Sequence, residues 1–288
     1  MKIITDEACT QYGSPGHPER PARVAKTLEL LRSQKELELT FVAPTLATDE
    51  DVLRAHTREL LESVEHGTGD FDGDTARHPN IETHTRRSVG GALLAMQSAL
   101  KGELAFSLLR PPGHHATRNH AMGFCYFNGI AIAALSARAR GVERVAVFDF
   151  DVHHGNGTEA VLKDVGGTAF YSIHQHPCYP GTGTENVGNN CFNFPVAPKT
   201  KPEEYRKVLS KALAEMVKFK PTLIGVSAGF DAYKRDPIAQ ETLDTEDFHW
   251  LGGQIRALGI PAFHVLEGGY STELPNLILA YLRGLAGK

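Results

Sequence analysis

Arg144-Val-Ala-Val-Phe-Asp-Phe-Asp-Val-His-His-Gly-Asn-Gly-Thr158 is the stretch whose reading decides the fold. It starts as an apolar run, Val145 to Phe148, the pattern of a parallel strand covered by helices on both faces. Its second half changes character. Asp149, Asp151 and His153 fall at every second position, so in an extended chain they share one side while Phe148, Phe150 and Val152 share the other. Two carboxylates and an imidazole at the end of a core strand are costly to bury unpaired, and a metal ion would pair them. The competing reading is a strand end whose acids cap the next helix, with His153 and His154 on the surface. Gly155 and Gly157 then let the backbone turn tightly.

Outward from this stretch, strand and helix signals alternate through the 288 residues, which points to one large α/β domain, residues 1–288. Strands are expected at Lys2–Thr5, Leu39–Val42 (an edge), Leu104–Leu109, the Val145 run, Thr168–Ile173, Cys191–Val196, Thr222–Ser227 and Ala262–Leu266. Helices are expected at Ala22–Gln34, opened by Pro21 and striped by Val24, Thr27, Leu28 and Leu31. Others run from Thr48 to about Val64, and over Thr83–Lys101 with Val89, Leu93, Met96 and Leu100 on one face. Gly129–Arg140, Thr158–Lys163, Pro202–Phe219, Asp244–Leu258 and Asn276–Leu285 complete the set.

Lys plus Arg number 30 and Asp plus Glu 34, a net charge of −4, which gives no electrostatic case for a nucleic-acid partner. The apolar runs are too short to span a bilayer, and Met1-Lys-Ile-Ile-Thr5 reads as a strand rather than a signal peptide, so no membrane association is expected. Cys9, Cys125, Cys178 and Cys191 are too few and too irregularly spaced for a disulfide framework or a structural zinc site, and read as reduced thiols of a cytoplasmic protein.

In open parallel sheets, ligands bind beyond the C-terminal ends of the strands. Five polar, glycine-rich segments belong there: Arg110–Ala116, Asp149–Gly157, Ser172–Gly183, Ser227–Asp231 and Glu267–Tyr270. Asp151, His153 and Asp231 offer three N/O ligands, a set that suits a zinc ion keeping an open position for water. Taken alone, Asp231 reads as a cap or turn residue. His114 and His115, adjacent in a loop after Pro-Pro-Gly, suit a general base and acid beside such a water, the alternative being an exposed pair. Tyr270, after two glycines at a strand end, can donate to a developing oxyanion, although the commoner role of a tyrosine is a core aromatic.

Seven segments together resemble the zinc-dependent histone deacetylase family, which includes acetylpolyamine amidohydrolases and acetoin-utilisation proteins. They are His17-Pro-Glu-Arg-Pro-Ala-Arg23, Arg110-Pro-Pro-Gly-His-His-Ala116, Gly123-Phe-Cys-Tyr-Phe-Asn128, Asp149 to Thr158, Tyr179-Pro-Gly-Thr-Gly183, Ser227-Ala-Gly-Phe-Asp231 and Leu266-Glu-Gly-Gly-Tyr270, in the family's order. Their forms are closer to the class II and bacterial branch than to class I.

The resemblance implies a three-layer arginase/deacetylase fold, a mainly parallel eight-stranded sheet flanked by helices, and hydrolysis of the N-acyl amide of lysine in a protein or peptide. It implies one zinc per chain on Asp151, His153 and Asp231. His115 matches the base that later acts as acid, and His114 its electrostatic partner. Asp149 and Asn156 stand behind the two histidines, and Tyr270 matches the phenol that polarises the acyl carbonyl. Phe124 and Tyr179 match the walls of the acyl-lysine tunnel, and the Gly123 carbonyl the acceptor of the substrate amide. Asp149 and Ser172, with carbonyls near Asp151, His153 and Ile173, match a monovalent-cation site that usually holds potassium. Gly155 stands where binuclear manganese relatives need an acid, which favours a single metal. Ile238, after Asp236-Pro237, stands where some polyamine-specific relatives place Glu; this speaks against a small acylated polyamine unless Glu82, Asp74 or a partner subunit supplies the charge. No sequence signal fixes an oligomeric state.

Overall fold

Eight short apolar runs make one sheet, and every pairing in it is parallel. The computed structural model describes all 288 residues. The strands are β1 (Lys2–Ile4), β2 (Thr40–Val42), β3 (Ala105–Ser107), β4 (Val145–Asp149), β5 (Thr168–Gln175), β6 (Cys191–Val196), β7 (Leu223–Ala228) and β8 (Ala262–Leu266). Their order is β2-β1-β3-β8-β7-β4-β5-β6. Parallel neighbours need long crossovers, and these are supplied by α1 (Ala22–Ser33), α2 (Asp49–Val52), α3 (Arg58–His66), α4 (Ile81–Leu100), α5 (Gly129–Ala139), α6 (Asn156–Leu162), α7 (Pro202–Lys218) and α8 (Thr245–Ala257), with α9 (Leu274–Ala286) closing the chain.

Strand alternation assigns the helices to two faces. Phe106 of β3 and His264 of β8 meet Tyr281 of α9, which accompanies α8 on that face. Ser107 lies under Gly91 of α4, and Gly225 of β7 faces Ile130 of α5 on the other. Covered on both sides, β4 is buried at every residue, as its unbroken apolar run requires.

All eight expected strands form, and the Val24, Thr27, Leu28 and Leu31 stripe of α1 is buried. Two expectations are corrected, and one element is added. The helix from Thr48 to Val64 is two helices, because Thr57 caps a new start by accepting Leu60 N–H. The break buries His56, whose Nδ1 meets Thr117 O at 2.8 Å and whose Nε2 accepts Asn128 N–H at 2.8 Å. Leu100 does not join Val89, Leu93 and Met96 in the core but lies exposed in the last turn of α4. Glu7–Thr10 forms a short 3-10 helix capped by Asp6, which the pattern did not signal.

The loop before α1 is fixed by a charge network with almost no solvent access. Arg110, 0% exposed, gives Nε and Nη2 to the two oxygens of Glu19 at 2.5 and 2.6 Å, and Nη1 to Cys9 O at 2.8 Å. Arg23 adds Nη1 to Glu19 at 3.1 Å and reaches across to Gly269 O at 2.7 Å and to Glu267 O. Buried charges hold only while every partner is present. Glu19→Ala strands two guanidinium groups and is expected to cost about 3–5 kcal/mol, read as a lower midpoint in urea unfolding with an unchanged slope.

Candidate active site

The five polar segments hang from five neighbouring strands, β3, β8, β7, β4 and β5, so the sheet brings them to one edge. At its centre Asp151, His153 and Asp231 are all buried, with one ligand atom from each lying within 4.8 Å of the others. His153 Nδ1 is 3.1 Å from both Asp151 Oδ1 and Asp231 Oδ2. The outward oxygens are taken by backbone donors: Gly268 N–H to Asp151 Oδ2 at 2.7 Å and Val152 N–H to Asp231 Oδ1 at 2.8 Å. One nitrogen and two carboxylate oxygens therefore point inward. Gly229 and Gly268 press so close to these carboxylates that a Cβ at either position would collide with them.

The extended reading of this stretch is corrected. β4 ends at Asp149, and the next residues coil. Asp149 Oδ1 accepts Asp151 N–H at 3.1 Å, and Asp151 Oδ1 accepts His153 N–H at 2.9 Å. Two successive side-chain-to-backbone turns, rather than strand alternation, bring the three side chains together.

His114 and His115 are buried, with ring centroids 4.0 Å apart. His114 Nδ1 donates to Asp149 Oδ2 at 3.1 Å, and its Nε2 lies 3.8 Å from Asp151. Burial opposes charge on His114, but Asp151 and Asp149 outweigh it and push its pKa up to about 10. His115 Nδ1 meets Asn156 Oδ1 at 2.7 Å. Burial, followed by the neighbouring His114 and His153, holds the His115 pKa well below the ordinary imidazole value. Asn156 accepts a hydrogen bond without bringing a charge, so His115 carries its proton on Nδ1 and presents a free Nε2 lone pair. Burial keeps the Tyr270 phenol protonated, far above its usual range.

These groups share a cavity of about 290 Å³ lined by His17, Asp74, His115, Gly123, Phe124, His153, Tyr179, Ile238 and Tyr270 among others. Phe124 stands edge-on to Tyr270 at 5.8 Å, and Tyr179 edge-on to His115 at 5.0 Å. A Cβ on Gly123 would strike His115 and Tyr179, which limits the position to glycine. Phe124 has φ 70°, a costly left-handed conformation for an aromatic residue. It is held there by Thr75 Oγ1, which accepts Phe124 N–H at 2.9 Å, and by Asp72, which accepts Gly123 N–H at 3.2 Å. Asp74 lies at the cavity mouth, whereas Glu82 does not; it pairs with Arg86 at 2.9 Å on α4. Asp149 and Ser172 are cross-strand neighbours between β4 and β5, and both are buried with Asp151, His153 and Ile173; Ser172 Oγ also meets His174 Nδ1 at 2.9 Å.

Residues with no assigned role in the sequence reading also shape the site. Asp236 Oδ2 accepts the N–H groups of Tyr270 at 2.7 Å and Ser271 at 3.2 Å. The Arg23 guanidinium stacks 4.7 Å over the Tyr270 ring. Arg23 and Glu19 stand in the His17–Arg23 segment of the resemblance, which assigned them no role, and their partners lie up to 246 residues away.

A model of the histone deacetylase domain matches residues 17–285. The chain is 40% identical over 303 aligned residues to a probable deacetylase of Methanothermobacter thermautotrophicus, covering 100% of this chain and 91% of that one. The crystal structure of the HDA15 HD domain superposes with a TM-score of 0.92 at 28% identity, covering 100% of this chain and 89% of that one. An acetylpolyamine aminohydrolase from Burkholderia pseudomallei does so with a TM-score of 0.88 at 26% identity, over 99% and 98%. The chain belongs to the histone deacetylase family and is a hydrolase with the arginase/deacetylase fold. Its buried Asp/His/Asp group can hold a metal ion. Asp151→Ala removes one of the inward oxygens and is expected to abolish stoichiometric metal uptake, measured by elemental analysis after metal loading and dialysis.

Proposed function

We propose that the protein is a zinc-dependent deacylase that removes an acetyl or other short acyl group from the side-chain amine of lysine in proteins or peptides. One observation carries this reading: the clustered Asp151, His153 and Asp231 meet, through His153, the aromatic-walled cavity that His115 and Tyr270 also line. Two carboxylate oxygens and an imidazole nitrogen, with the other oxygen of each carboxylate bound by a backbone N–H, are a donor set that fits zinc with a position left open. Zinc held there supplies Lewis acidity, polarising the acyl carbonyl and easing ionisation of a water.

The protein's own groups do the rest. Phe124 and Tyr179 enclose the aliphatic stem of an acyl-lysine and exclude water. The Gly123 carbonyl accepts the substrate amide N–H. The free Nε2 of His115 takes a proton as water attacks the carbonyl carbon and returns it to the leaving amine. His114, bonded to Asp149, stabilises the negative charge that develops beside it. The Tyr270 phenol donates to the acyl oxygen as that charge grows. In the same reading, Asp149 and Ser172 with the carbonyls around Asp151, His153 and Ile173 hold a potassium ion.

One observation favours a second substrate, a small acylated polyamine: the Asp74 carboxylate at the cavity mouth makes no ion pair and would meet a distant protonated amine. Ile238, also at the mouth, offers no charge and supports the lysine reading. Acyl-lysine peptides and acylpolyamines assayed side by side, with metal content measured on the same sample, test the proposal; hydrolysis of neither class overturns it.

Tyr270→Phe should lower kcat by about 100-fold or more, the scale of one oxyanion donor, with metal content unchanged. Because His115 reacts as the neutral base and its pKa is depressed, protonation on the acid side comes late. The acid limb of kcat/KM should fall below the ordinary imidazole value of about 6.5, and a limb well above pH 8 would contradict the assignment.

A further inference from the structure

Glu267 joins the two halves of the site. It follows β8 directly, and its backbone N–H bonds Ala228 O at 2.9 Å, continuing the pairing with β7. Its carbonyl accepts Arg23 Nη2. The side chain is 0% exposed, and its Oε2 accepts two successive N–H groups of the histidine loop, Gly113 at 2.7 Å and His114 at 3.1 Å. No other acceptor serves either N–H. The loop has no slack elsewhere. His114 O accepts Thr158 N–H and Gly113 O accepts Ala116 N–H, both at 3.0 Å, and a Cβ on Gly113 would stand 2.8 Å from Phe127 O and Gly129 N. Tyr270 lies three residues beyond Glu267, its turn held by Asp236 and Arg23.

We propose that Glu267 is a positioning residue for the reaction: its carboxylate locks the His114–His115 loop to the strand end that carries Tyr270, and so fixes the imidazole and the phenol at a common distance from the acyl group. This rests on the deacylase reading above. Glu267 touches neither substrate nor metal in this scheme; it acts through backbone that has no alternative partner. What it contributes is reach and an acceptor oxygen rather than charge. Its second oxygen, Oε1, has no protein partner, so exchanging that oxygen for an amide NH2 breaks no bond.

The test compares Glu267→Gln, Glu267→Asp and Glu267→Ala in the metal-loaded protein. Gln keeps the reach and one acceptor oxygen without the charge; Asp keeps the charge but falls one methylene short. Ala and Asp should lower kcat by up to about 100-fold, the cost of a displacement of roughly 1 Å, with KM and metal content little changed, and Gln should restore most of the loss. The His115 imidazole resonances should move in Ala and Asp and stay near the wild-type positions in Gln. Recovery in Asp but not Gln overturns the proposal, because charge would then matter and reach would not. So does a kcat for Ala within about threefold of wild type. Should Ala fail to fold, the order of Gln and Asp still decides. If the wild type hydrolyses no acyl amide, the deacylase reading fails by itself, and the His115 resonances still report whether Glu267 holds the loop.

Discussion

Two carboxylates and an imidazole forced together out of water are the constraint on which the rest of this structure depends. Unpaired, such a group would repel itself and lose its hydration, a penalty of several kcal/mol per ion. The chain answers with geometry. Each carboxylate gives one oxygen to a backbone N–H, Asp151 to Gly268 and Asp231 to Val152, and leaves the other facing inward. Those donors come from different strand ends, so the cluster holds only if β4, β7 and β8 stay in register. The glycines at 229 and 268 are part of the same answer, because only a bare backbone can approach the carboxylates closely enough.

The two histidines extend this logic. They are neighbours in sequence and packed ring against ring, yet their partners differ: Asp149 for His114 and Asn156 for His115. One partner is charged and the other neutral, and the imidazoles are pushed in opposite directions. A pair of groups whose proton affinities are driven apart can serve one as a fixed charge and the other as a proton carrier. The phenol side is built differently. Tyr270 sits on a turn whose N–H groups bind Asp236 and whose carbonyls bind Arg23, so a network anchored near the N-terminus of the chain fixes a residue near its C-terminus.

Much of this was legible in the sequence because it is local. The run Val145–Phe148 announces a strand covered on both faces, and the polar, glycine-rich segments announce strand ends. A sheet of parallel strands has to put those ends on one edge. The site geometry was less legible. Alternation brought Asp149, Asp151 and His153 to one side for the wrong reason; the observed turns depend on carboxylates bonding the backbone two residues on, a choice periodicity does not encode. The broken helix at Thr57 has the same origin, since a cap competes with helix continuation and the burial of His56 decides the contest. Glu19, Arg110 and Glu267 stand inside segments that carry the family resemblance, but nothing local to those segments says what they do. Their roles come from partners 91 to 154 residues away, which only the folded chain reveals.

The backbone bonds to Asp151 Oδ2 and Asp231 Oδ1 also bear on ion selectivity. Each of those oxygens already accepts an N–H and is crowded by glycine backbone, which favours contact with a cation through the one inward oxygen of each carboxylate. The protein can offer three contacts, one of them nitrogen. Calcium, which wants six to eight oxygens, and magnesium, which wants an octahedron of them, would find the nest too sparse, while ions content with few and mixed donors fit.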